Sequence, residues 1–191
     1  MSDFQKTAQI WLQHRAEQDQ KTHQPLWEVS RCGRVFPLAQ KMEIRSEHAV
    51  LSLHCGLGRE GIGREFCYYD LCPCLNTDTL KPYFHLVEQL AEQDTDSHDP
   101  HHDYTFSSLV LLTEHFQDHE AQKALKRYRF QRQFAPENQE YGWNTCQVCV
   151  VDLAENKIWC SAMGDALKNR MEGNLSQSVS LGERLRKRIN R

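Results

Sequence analysis

The chain has 191 residues, 39% hydrophobic and 26% charged, with four Trp, six Tyr and eight Phe, which suits one folded domain with a tail and excludes global disorder. Its formal net charge of -3 gives no overall attraction to nucleic acid phosphates or to anionic lipid. The first residues lack the basic and apolar regions of a secretory signal, and no apolar run approaches the roughly 20 residues of a membrane span. The expectation is a cytoplasmic protein whose eight cysteines stay reduced.

Asp3 to Gln20 carries Phe4, Ala8, Trp11, Leu12 and Ala16 at helical spacing, with Ser2 or Asp3 as its cap. Leu26 to Arg31 and Val35 to Leu38 read as short strands around a turn at Cys32-Gly33, and Lys41 to Arg45 as a further extended segment. Ala49 to Leu57 alternates, placing Leu51, Leu53, Cys55 and Leu57 on one face of a strand. A glycine-rich loop follows, and aromatic-rich Glu65 to Leu71 returns as the antiparallel partner, so the middle of the chain reads as a β-meander.

Thr79 to Gln93 predicts a second helix capped by Asp78, with Pro82 tolerated in the first turn. Acidic, histidine-rich Asp94 to Asp103 reads as a surface loop. Phe106 to Phe116 fits either a buried strand or a helix. Asp118 to Phe134 has Ala121, Ala124, Leu125 and Tyr128 at helical spacing and stops before Pro136. Thr145 to Leu153 and Lys157 to Met163 read as a hairpin in which a two-residue turn sets Val151 opposite Cys160 and Leu153 opposite Ile158. The expected fold is α+β: a mainly antiparallel sheet of meander and later hairpin packed by about three helices, one domain over 1–172, and a polar then basic tail over 173–191.

The tandem Gly-x-Gly-Arg-Glu repeat of residues 56–65 is the most distinctive local pattern. Gly58, Gly61 and Gly63 would leave backbone N–H groups open to an anion or partner, with Arg59 and Arg64 as fork-shaped donors. The dinucleotide fingerprint also requires a helix to follow at once, and the aromatic Phe66 to Leu71 argues against one. The plain alternative is a hairpin loop.

Cys67, Cys72 and Cys74 crowd one segment, and Cys146 and Cys149 form a C-x-x-C, donor types that suit a structural zinc ion. On a strand, however, Cys146 and Cys149 point to opposite faces, which favours packing over chelation. Cys74 precedes the second helix, whose N-terminus would favour a thiolate, and His54 beside the glycine loop is a candidate base. His115 and His119, four residues apart, would share a helical face, with neighbouring His98, His101 and His102 able to supply a third metal ligand after a chain reversal.

Arg127, Arg129 and Arg132 along the third helix and Arg186 and Arg188 in the tail, interleaved with Tyr128 and Phe130, are residues able to contact phosphates or an acidic protein. No hydrolase, P-loop or kinase motif is present and no motif calls for a cofactor. Two readings result. The first is a binding or accessory protein that meets a protein partner through the glycine-arginine loop and basic helix or tail. The second is an enzyme with a thiol or metal centre near Cys67, Cys72, Cys74 and His54.

Overall fold

The computed structural model describes residues 2–48 and 59–172; the strand predicted over 49–57, His54, Gly58 and the tail arginines Arg186 and Arg188 lie outside the described residues. Helix α1 (Asp3–Asp19) is closed by a capping box: the Ser2 hydroxyl accepts from the Gln5 N–H, and the Gln5 side chain accepts from the Ser2 N–H. Ala8, Trp11, Leu12 and Ala16 form its buried stripe, as their spacing predicts, and Arg15 and Asp19 are buried with them.

Strands β1 (Gln24–Arg31) and β2 (Arg34–His48) form a hairpin around Cys32-Gly33, whose φ angles of 48° and 70° are those of a two-residue turn matched to strand twist. β2 runs on as one 15-residue strand, joining the two segments read separately from the sequence. It is also the antiparallel partner of β3 (Arg59–Leu71), from Leu38↔Tyr69 to His48↔Arg59. Gly61 and Gly63 therefore lie inside a strand, not in the loop expected of them.

Helix α2 (Thr77–Asp94) begins two residues earlier than its apolar stripe suggests. Asn76, not Asp78, is the cap: its side chain accepts from the Asp78 and Thr79 N–H groups, and the Thr79 hydroxyl accepts from the Asn76 N–H. Pro82 falls in the second turn, where the helix continues past it. The ambiguous apolar run is strand β4 (His102–Thr113), buried over its last seven residues. Helix α3 (His119–Arg127) is shorter than predicted because Tyr128 leaves the helix to stack on Phe84, ring centroids 4.3 Å apart, and donates a hydrogen bond to Glu88. Strand β5 (Phe130–Gln133), a 3-10 turn at Pro136–Asn138, β6 (Trp143–Asp152) and β7 (Lys157–Cys160) follow, and residues 165–172 are helical.

The strand order is β1-β2-β3-β4-β6-β5, with β7 also on β6. The sheet is mixed, which corrects the mainly antiparallel expectation: β3 and β4 are parallel, as are β4 and β6. Parallel neighbours need a crossover, and α2 and α3 supply it. β5 and β7 pair antiparallel with successive halves of the outer edge of β6. Alternation along β4 sends Leu109 and Leu111 into the core under α2 and α3, and Val110 and Leu112 into the core under α1 and the 165–172 helix. The fold is α+β with helices on both faces of the sheet. No helix among the described residues is long and apolar enough to cross a membrane.

The β6–β7 register also differs from the sequence reading. Val151 faces Ile158 and Cys149 faces Cys160. Asp152 decides this, because its side chain accepts from the Ala154 and Glu155 N–H groups and holds a four-residue connection that Asn156 completes at a φ of 54°.

One half-buried acid makes stability depend on pH. Asp94, in the last turn of α2, accepts the Tyr68 hydroxyl at 2.8 and 2.9 Å, and burial pushes its carboxyl from 3.8 up to about 6. Between those values the folded chain binds more protons than the unfolded chain. Asp94 is therefore best tolerated below the unfolded value, and stability falls as pH rises through the folded one. Asp94→Asn, which keeps an acceptor for Tyr68, is expected to raise the unfolding free energy by about 2–3 kcal/mol at pH 7.5 and far less at pH 4, measured by urea denaturation. An equal gain at both pH values would show that the carboxyl is not held neutral.

Candidate functional site

The registers across four strands bring one set of large side chains together. Ile44 faces Gly63, Gly63 faces Tyr104, and Tyr104 faces Trp143; in the next row Met42 faces Glu65 and Glu65 faces Phe106. Tyr104, Phe106 and Trp143 pack on one another with centroids 5.1 to 5.6 Å apart, in edge and stacked arrangements. By alternation they share the sheet face of Val110 and Leu112, yet they belong to neither core cluster and remain half-buried. Ile44 beside them is 39% exposed. The helices over this face cover its far rows and leave this end as an aromatic platform.

The glycines make room for it. A Cβ on Gly63 would lie 2.2 Å from the Tyr104 ring, and one on Gly61 would lie 1.7 Å from the Asp103 carboxylate. Ile62 pairs with His102 and Gly63 with Tyr104, so Asp103 is an extra, bulged residue and its carboxylate falls on the same face as the rings. The Glu65 side chain, in the row with Phe106, and the Asp103 carboxylate over Gly61 lie beside the platform, and burial, then their charges, push the Tyr104 hydroxyl up.

An ion network separates the platform from the covered rows. Arg15, 2% exposed, pairs with Asp19 and donates to the Arg170 carbonyl at 2.9 Å. Arg170 also reaches His23 at 2.7 Å, and Glu65 lies 3.9 Å from the same histidine nitrogen. This network ties α1, the 165–172 helix and β3 together.

The structure disperses most of the residues singled out from the sequence. Arg59 opens β3, and Arg64 is committed to Asp99 at 3.1 Å and Glu43 at 3.7 Å with its side chain 16% exposed. The helical face expected for His115 and His119 does not exist: His115 pairs with Cys74 in an isolated bridge, and His119 is the first residue of α3. His102 sits at the opposite end of β4, roughly 35 Å away at 3.3 Å per residue, with both ring nitrogens engaged by the Tyr141 carbonyl and the Thr105 hydroxyl. Arg127 ends α3, Arg129 lies in the connection and Arg132 sits on β5 over the Phe134 ring, so the three form no common helical stripe.

The thiols are likewise spread. Cys146 lies in the core under α2 and Cys149 in the core under α1. Among the described residues no group of three His, Cys, Asp or Glu side chains is gathered to hold a metal ion. Cys67 is buried and Cys72 half-buried, and burial pushes both thiols up, the reverse of what a nucleophile needs. The α2 N-terminus is not open to Cys74, because Asn76 and Asp118 already accept the N–H groups of residues 77–79. Cys72 shares a cleft of about 560 Å³ with Cys32, Arg34 and Tyr83. There Arg34 is held by Asp70 at 2.5 Å and the Tyr83 hydroxyl at 2.7 Å.

Tyr104, Phe106 and Trp143 are the residues that sequence reasoning passed over. The available signal was a pair of two-residue spacings: Gly61 and Gly63 on one strand, Tyr104 and Phe106 on another, small residues making way for large ones.

The chain belongs to the family described as Domain of unknown function (DUF8052), whose model matches residues 28–172. No curated protein and no solved structure matches it.

Proposed function

We propose that this member of that family is a protein-binding module whose platform of Tyr104, Phe106 and Trp143 takes a segment of a protein partner carrying apolar and cationic side chains. The observation that carries this reading is an aromatic cluster left half-buried at the end of a sheet face whose far rows are covered by helices. Aromatic anchors of this kind dominate protein interfaces. Glu65 and Asp103 at the rim supply the complement for Arg or Lys and oppose a polyphosphate. The glycine-arginine segment enters through its glycines, which seat the platform, while Arg64 is occupied within the fold.

The test is a synthetic array of 12-residue peptides varied in charge and apolar content, probed with the full chain, beside a labelled single-stranded oligonucleotide. Binding is expected only for peptides that combine apolar residues with Arg or Lys. Trp143→Ala should weaken it about 30-fold, near 2 kcal/mol, with the melting temperature checked in parallel. Asp103→Asn should reduce the preference for cationic peptides. Undiminished binding by a folded Trp143→Ala chain, or binding of the oligonucleotide alone, would refute the proposal.

A further inference from the structure

The corrected register of β6 and β7 has a chemical outcome independent of the platform. Cys149 and Cys160 are direct cross-strand partners. The Ser161 N–H donates to the Val148 carbonyl at 2.8 Å, which makes the 148/161 rung the hydrogen-bonded one. The neighbouring 149/160 rung is therefore of the non-hydrogen-bonded kind, in which Cα atoms lie about 4.5 Å apart and side chains approach most closely. A disulfide requires Cα atoms roughly 4.4–6.8 Å apart. Both side chains face the core under α1, Cys149 fully buried within it and Cys160 packed at its edge.

We propose that Cys149 and Cys160 form a reversible cross-strand disulfide, a redox-modification site that fastens β7 to the sheet. Access is asymmetric. Cys160 is half-buried and lines a cleft of about 550 Å³ with Trp159, Ser161, Asp165 and Lys168, so a small oxidant reaches it and not Cys149. With a low-molecular-weight disulfide as oxidant, the Cys160 sulfur attacks one of its two sulfurs, losing its proton. This forms a mixed disulfide and releases one small thiol. Cys149 then gives up its proton and attacks the Cys160 sulfur, releasing the second small thiol. Two protein thiols lose two electrons and two protons, and the small disulfide becomes two thiols. Burial and the adjacent Cys160 hold the Cys149 proton in place, so the second step is the slow one. Cys67 on β3 does not compete, because β4 lies between and two strand spacings exceed the reach of a disulfide.

The experiment exposes the folded full chain to oxidised glutathione, alkylates the remaining thiols, and maps peptides by mass spectrometry without reduction. The expected result is a 149–160 linkage with the loss of two of the seven free thiols among the described residues, restored by dithiothreitol. Cys160→Ser should leave Cys149 as a free thiol, and Cys149→Ser should accumulate a glutathione adduct on Cys160. A wild-type chain that carries the adduct on Cys160 without the linkage, links other cysteines, or forms the linkage only in urea would overturn the proposal. The wild-type map decides the question even where a variant does not fold.

Discussion

Replacing Asp19 by alanine is expected to lower the unfolding free energy by about 3–5 kcal/mol, the range for removing one partner of a buried ion pair. Arg15 is 2% exposed and its pair with Asp19 is one helical turn long. Removing the carboxylate leaves a guanidinium in the core that keeps its hydrogen bond to the Arg170 carbonyl but loses its charged partner. Arg170, 3.9 Å from Asp19, loses the same neighbour. The cost comes from the stranded charge, so it should be nearly independent of salt up to 0.5 M and largely recovered in the Arg15→Met, Asp19→Leu double variant. Urea denaturation of the single and double variants supplies the measurement. A loss below about 1 kcal/mol for Asp19→Ala would mean that the pair is solvated and does not fasten α1 to the sheet.

Leu111→Ala is expected to cost about 3–5 kcal/mol, the upper part of the range for truncating a buried leucine. Leu111 is fully buried on β4, flanked by Asp70 of β3 and Val150 of β6 and covered by α2 and α3. The parallel ladders on both sides fix the backbone, so the cavity cannot close. Val35→Ala on β2, where the side chain is 61% exposed, should stay within about 0.5 kcal/mol. Similar losses at both positions, read from urea midpoints at constant slope, would contradict the central placement of β4.

These two sites mark how differently sequence and tertiary structure contribute. The buried stripe of α1, the turn at Cys32-Gly33 and the apolar face of α2 follow from periodicities of a few residues, because helix and hairpin geometry is local. That Arg15 sits inside the stripe with a partner was not visible, since its position in sequence does not say which surface will close over it. The same holds for the ambiguous run at 106–116: its composition fits either element, and only neighbours on both sides made it a strand.

The candidate site shows the division most plainly. The paired glycines at 61 and 63 stood out from the beginning, but as an open loop with arginines for ligands. Their strand role depends on Asp103 and Tyr104, about forty residues away, lying over them. Alternation alone placed Cys146 and Cys149 on opposite faces, because the pleat repeats every two residues whatever the neighbours are. That Cys149 and not Val151 faces Cys160 was settled by the connection that Asp152 holds, and a shift of register there changes every partner across the ladder. Sequence by itself determined the local elements and the faces of their residues. Tertiary structure decided the strand order, the parallel pairs and the aromatic platform, because contacts between distant segments depend on how whole elements stack.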